Sequence, residues 1–220
     1  MNDGSNATSK RIIVLISGRG SNMQSIHQHC LNGSIEATLA CVVSNKPQAI
    51  GLEYARQHGI ATAVVDHREF SDRKAFDSAL ANTIDQHEPE LIALAGFMRV
   101  LSSEFTDRYF GRLINIHPSL LPRHRGLNTH QKVIAEGDRW HGCSVHFVSA
   151  ALDGGPLIAR SIVPVLSDDT VDTLSIKVLE REHMLYPKII SGCLRGEYIC
   201  RNGSVFKNGN LLRYPLTFNA

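Results

Sequence analysis

Short aliphatic runs alternate along the chain with segments whose apolar residues recur at helical spacing. Arg11 to Ser17 (Arg-Ile-Ile-Val-Leu-Ile-Ser) is almost unbroken and ends at glycine, the pattern of a strand covered on both faces. Gly18-Arg19-Gly20-Ser21-Asn22 follows, and Met23, Ile26 and Cys30 then mark a helix to Leu31. The alternation continues with a strand over Leu39–Val43, a helix over Ala49–His58 stopped by Gly59, a strand over Ala61–Val65 and a helix from Asp72 to His87. After Pro89 comes a strand over Leu91–Ala95 ending in Gly96-Phe97-Met98-Arg99-Val100-Leu101. Ser102 then caps a helix to Phe110, and Arg112–Ile116 is a further strand. Strands alternating with helices predict an α/β chain, a Rossmann-like, mostly parallel twisted sheet with helices on both faces.

Beyond Pro118 and Pro122 the pattern changes. Leu121–Thr129 reads as a basic loop, and Thr129 starts a helix to Glu136. Strands over Cys143–Val148 and Pro156–Val165 are joined by Leu152-Asp153-Gly154-Gly155-Pro156. Thr170 or Asp172 opens a long helix to about Ile190, and Tyr198–Phe206 with Leu211–Tyr214 reads as a terminal hairpin. No internal repeat or low-complexity linker interrupts the chain. Residues 11–196 are therefore expected to form one domain, with 1–10 a disordered polar tail and 197–220 an extension of that domain.

Composition narrows the function. The 220 residues are 43% hydrophobic and 20% charged, enough apolar material for a sizeable core. A net charge of +2 without a basic run leaves no electrostatic footprint for nucleic acid. No apolar stretch approaches a membrane span, and the first ten residues lack the hydrophobic segment of a secretory signal. Five scattered cysteines without Cys-x-x-Cys pairs, and eleven histidines without ligand spacing, predict neither disulfides nor a metal site. The cytoplasm is the expected compartment.

Three places carry candidate chemistry. Strand, glycine-rich turn and helix start at Gly18–Asn22 make an anion cradle from backbone amides and helix dipole. Met23 stands where a dinucleotide fingerprint needs its third glycine, and the second strand ends in Ser44-Asn45 rather than an acid, so a single phosphate fits better. A merely tight turn is the plainer alternative. In Asn115-Ile116-His117-Pro118, residues two apart on an extended chain face one side, and an amide beside an imidazole suits oxyanion stabilisation and proton transfer. Taken alone, the pair is better explained as a strand end with a capping Asn and a core His. Asp153 in its glycine turn is likewise ordinary turn chemistry, although a carboxylate near an imidazole favours the imidazolium.

Five segments shift that balance because they occur in one order: Ser17–Asn22, Ala95–Arg99, Asn115–Pro122, His141–His146 and Leu152–Pro156. Together they resemble the folate-dependent formyltransferases, the phosphoribosylglycinamide formyltransferases in particular, from about Arg11 to Gly196. The resemblance implies the formyltransferase fold, 10-formyltetrahydrofolate as co-substrate, no metal, and a phosphoribosylglycinamide amine as acceptor in purine (IMP) biosynthesis. It implies that Gly20, Ser21 and Asn22 hold the acceptor's phosphate and Glu182 its ribose hydroxyls. Arg73, Met98, Arg99, Val100 and Leu101, with Asn115, would line the folate site. Asn115 would bind the formyl oxygen, His117 would be the general acid, and Asp153 would favour its protonated form. Arg73 and Glu182 are equally consistent with solvated helix positions on spacing alone. Leu179 and Arg123-His124-Arg125 depart from the family's usual acceptor-binding pattern. The implied partners are small molecules, with neither nucleic acid nor membrane, and a monomer or weak homodimer. The rival readings are a formyltetrahydrofolate deformylase, with water as acceptor, and a non-catalytic phosphosugar-binding module.

Overall fold

Ile12, Val14 and Ile16 lie in one apolar core while Ile13 and Leu15 lie in another, one on each face of the strand. Such two-sided burial is what an unbroken aliphatic run requires. The computed structural model describes residues 9–219. Of the tail expected over 1–10, residues 1–8 lie outside the described residues, and Lys10 already opens the first strand.

The first half of the chain is β1 (Lys10–Ile16), α1 (Ser21–Leu31), β2 (Ala37–Ser44), α2 (Ile50–Gln57), β3 (Ala61–Val64), α3 (Arg73–Asp85), β4 (Leu91–Leu94), α4 (Ser103–Arg108) and β5 (Leu113–His117). Then come α5 (Thr129–Glu136), β6 (Trp140–Phe147), β7 (Leu157–Pro164), α6 (Val171–Leu194), β8 (Tyr198–Arg201), β9 (Ser204–Lys207), β10 (Asn210–Leu211) and β11 (Leu216–Asn219). The main sheet has eight strands in the order β11-β7-β6-β5-β4-β1-β2-β3. Pairs β1–β2, β2–β3, β1–β4, β4–β5 and β7–β11 are parallel. Strand β6 is antiparallel to both β5 and β7. From β1 the chain builds outward through β2 to β3, then crosses back to place β4 and β5 on the other side. The reversal opens a crevice beyond the carboxyl ends of β1 and β4, where ligands of such sheets bind.

Two close approaches hold this end together. Gly20 ends the first turn at φ 74°, and the Gly51 amide donates to the Gly18 carbonyl at 3.0 Å. A side chain on Gly51 would press against Ile16 and the Gly20 backbone, so α2 packs directly on the loop before α1. Helix α6 runs past Ile190 to Leu194 despite the internal Pro187. Proline removes the hydrogen bond to the carbonyl four residues back. Here Ser25 of α1 donates to that carbonyl, His183 O, at 3.0 Å, so the lost partner is replaced and α6 is tied to α1. The buried Tyr186 hydroxyl reaches the Leu94 and Ile114 carbonyls at 3.0 and 3.1 Å, seating α6 on β4 and β5.

The C-terminal segment differs from the expected hairpin. Strands β8 and β9 turn at Asn202-Gly203, both with positive φ, and a second Asn-Gly pair at 208–209 leads to β10. The chain then returns to the main sheet, where β11 lies parallel to β7. A segment with one exposed face pairs where an open strand edge is available, which local sequence does not specify. Among the described residues no helix is long and apolar enough to cross a membrane.

Candidate active site

Asn115 and His117 end β5 two residues apart and both line a cavity of ≈ 790 Å³. Asp153 reaches the same cavity from the β6–β7 connection, Asn22 from α1, Glu182 from α6, and Met98, Arg99 and Val100 from the segment after β4.

His117 is 6% exposed and has an acceptor at each ring nitrogen. Its Nδ1 lies 3.5 Å from Asp153 Oδ2, and its Nε2 lies 3.0 Å from the His124 carbonyl oxygen. A doubly protonated ring can donate from Nε2 to that carbonyl, while the Nδ1–Asp153 contact is an ion pair without hydrogen-bond geometry, which leaves the Nδ1 proton for a ligand. Asp153 takes φ 46°, a left-handed turn conformation that Asp tolerates. Its Oδ2 also accepts from the Gly126 amide at 2.8 Å, which fixes the carboxylate opposite the imidazole.

Asn115 has a partner that sequence reading assigned no role. Its Nδ2 lies 3.2 Å from His146 Nε2, and the two residues are register partners across β5 and β6. His146 Nδ1 faces the Phe147 carbonyl at 2.9 Å, so that nitrogen carries the proton. Burial lowers the His146 pKa and keeps the ring neutral, leaving Nε2 to accept from the amide. One Nδ2 hydrogen of Asn115 is thereby held, and the other remains for the cavity. The signal was present in the motif His141–His146, but only the antiparallel register connects it to Asn115.

In the same cavity Asn22 Nδ2 donates to Glu182 Oε2 at 2.6 Å, and both residues are buried. Burial pushes the Glu182 pKa up to about 7, against the hydrogen bond from Asn22. Asn22 Oδ1 is buried without a hydrogen-bond partner among the described residues, an acceptor suited to a donor in the cavity. Helix α1 begins at Gly20 with no side-chain cap and no acid in its first turn. Its first amides and its dipole remain free for an anion. Gly20 and Ser21 make this turn without lining the cavity themselves.

The folate-side expectations divide. Met98 and Val100 are 56% and 44% exposed on the cavity wall, an apolar surface open to a ring system. The Met98 amide donates to Ser17 Oγ at 2.7 Å, tying this segment to the end of β1. Leu101 does not line the cavity; it is 6% exposed and packs in the core with Phe97 and Phe105. The cause is the next residue, whose amide donates to the buried Asp77 Oδ2 at 2.7 Å and turns the chain inward toward α4. Arg73 is exposed at the first position of α3 and does not line the cavity.

The spacing of histidines showed no metal-ligand pattern, yet the fold brings His124, Glu136 and Asp138 within 4.8 Å of one another. The Arg123 guanidinium lies 3.2 Å from Glu136 and 2.8 Å from Asp138, so an ion-pair network already occupies the group.

Comparison with known proteins agrees with this architecture. The family described as "Formyl transferase" matches residues 10–190. The phosphoribosylglycinamide formyltransferase of Escherichia coli is 46% identical over 201 residues, 91% of this chain and 95% of the relative. The structure of the Coxiella burnetii phosphoribosylglycinamide formyltransferase superposes with a TM-score of 0.91 at 42% identity, covering 96% of this chain and 99% of that one. A formyltetrahydrofolate deformylase of Pseudomonas syringae reaches a TM-score of 0.84 at 21% identity, over 91% of this chain and 66% of that one, a likeness of fold alone. By near full-length identity to such relatives, the chain belongs to the formyl transferase family, within its phosphoribosylglycinamide formyltransferases.

Proposed function

We propose that this chain transfers the formyl group of 10-formyltetrahydrofolate to the glycinamide amine of a ribosyl phosphate, a step of purine (IMP) biosynthesis. The observation that carries the reading is the convergence of Asn115, His117, Asp153, Asn22 and Glu182 on one cavity. The identity to phosphoribosylglycinamide formyltransferases supports it.

In this scheme the amides at the start of α1 take the acceptor's phosphate, and Glu182 and Asn22 take its ribose hydroxyls. Exposed Met98, Val100 and Leu152 supply apolar wall for the folate ring system, which suits their position on the cavity. The neutral amine attacks the formyl carbon, and the carbonyl oxygen gains negative charge. The free hydrogen of the Asn115 amide and the protonated His117 ring stabilise that oxygen. Loss of one such donor typically costs about 3 kcal/mol of barrier. Asp153 offsets the charge on His117 and holds its orientation. The amine gives up a proton and the departing folate nitrogen gains one, with His117 as the general acid. These side chains supply the charge and the protons the scheme requires.

The test is acceptor dependence. With 10-formyltetrahydrofolate alone, turnover should be very slow, and glycinamide ribonucleotide should raise it by orders of magnitude. The rate should fall at low pH as the amine protonates and at high pH as the general acid loses its proton. Rapid deformylation without acceptor, unchanged by the ribonucleotide, would instead assign the site to water as acceptor.

A further inference from the structure

The departure Arg123-His124-Arg125 is left unused by the transfer scheme, yet its middle residue touches the site through its backbone. We infer that His124 and Asp138 form a second histidine–aspartate pair, outside the reaction, that positions the loop clamping His117 and Asp153. The inference rests on the formyl-transfer reading and names positioning residues for it.

The His124 ring lies with Nε2 2.7 Å from Asp138 Oδ2, the two side chains being 6% and 12% exposed. Burial works against the Asp138 carboxylate, but hydrogen bonds from His124 and Arg123 hold its pKa below the usual range. His124 takes φ 53°, a left-handed conformation that a non-glycine residue keeps only when its surroundings enforce it. That conformation turns the His124 carbonyl onto His117 Nε2 at 3.0 Å. Two residues on, the Gly126 amide donates to Asp153 Oδ2 at 2.8 Å. One short stretch of backbone therefore grips both members of the catalytic pair, and the His124 side chain anchors it from behind. Ser119 Oγ adds a bond to the Arg123 carbonyl at 2.7 Å. Glu136 completes the surroundings of His124, and Arg123 supplies the positive charge there.

The groups facing His117 are Asp153, His130 of α5, and His141 and His146 of β6. Burial lowers the pKa of the three histidines, that of His141 to about 3, so they stay neutral through the alkaline range. Those facing His124 are Asp138, Glu136, Arg123 and His141.

His124→Ala in the full chain should lower kcat about tenfold or more while the KM for both substrates stays within about threefold. The alkaline limb of kcat should move to lower pH, because an Nε2–H with a displaced acceptor is given up more easily. His124→Gln, whose amide can still donate to Asp138, should restore most of the rate. Independently of turnover, proton NMR should show a slowly exchanging His117 Nε2–H in the parent chain and lose it in His124→Ala. Should that variant fold poorly, Asp138→Asn is read for the same proton and the same limb. The inference is overturned by parental kcat and pH profile in His124→Ala, by an Nε2–H that persists, or by a loss in His124→Gln equal to that in His124→Ala. A parent chain without acceptor-dependent transfer would sink the reaction assignment, and the Nε2–H signal would still decide the pair.

Discussion

Asn115 Nδ2 and His146 Nε2 lie 3.2 Å apart across the antiparallel pair β5–β6, and the bond aims an amide hydrogen into the cavity. His146 is neutral because burial lowers its pKa and its other nitrogen faces the Phe147 carbonyl. His146→Phe keeps a ring of similar size but loses the acceptor. Steady-state transfer should show kcat down about 10- to 100-fold with folate affinity little changed. An unaltered kcat would mean that Asn115 is oriented by other contacts.

Asp153→Asn should separate charge from shape. Asn tolerates the left-handed backbone at φ 46°, and its carbonyl oxygen can still accept from the Gly126 amide. Thermal unfolding should stay near that of the parent chain, while kcat falls about 100-fold or more because the imidazolium loses its counter-charge. Full turnover in the purified variant would remove Asp153 from the proposed chemistry.

The buried Glu182 gives stability a defined pH dependence. Its pKa is raised from 4.5 to about 7, so the folded chain holds this proton more tightly than the unfolded chain. The ionised side chain therefore subtracts stability above 7, progressively less between 7 and 4.5, and nothing below. Glu182→Gln should be more stable than the parent above pH 7, by on the order of 3 kcal/mol at most. The gap should close as the pH falls. Denaturant unfolding at several pH values checks it, and acceptor binding should weaken in the same variant. A constant stability difference across pH would contradict the burial assigned to this carboxylate.

Gly20→Ala probes the anion cradle. At φ 74° a side chain is strained, and its Cβ would lie 3.1 Å from Met23 Cε and 3.2 Å from the Gly51 Cα. Stability should fall by about 1–2 kcal/mol, and acceptor affinity should drop far more than folate affinity in calorimetry. Equal loss of both ligands would mean damage to the fold rather than to a phosphate site.

The order of strands and helices as far as β5 could be read from the chain, because its strands are rich in aliphatic residues and α3 and α4 carry side-chain start signals at Asp72 and Ser102. Ser102, for example, does cap α4 as its sequence position suggests. The pairing of Asn115 with His117 was legible for the same reason, since a two-residue period is a local property of extended backbone. Nothing local says that Asp153 lies 3.5 Å from His117, that Asn22 bonds Glu182, or that His146 orients Asn115. Each of these joins residues 31 or more positions apart, and their meeting is decided by which strands pair and in what register. The Leu101 side chain and β11 lie where local sequence alone does not place them, on the same account. A buried carboxylate at Asp77 turned the first inward, and an open edge of β7 took up the second. Local sequence dictates dihedral preferences and which face of an element is apolar. Only the packed sheet decides which distant polar groups share a cavity, because burial shields them from water and leaves each dependent on the partner the fold brings.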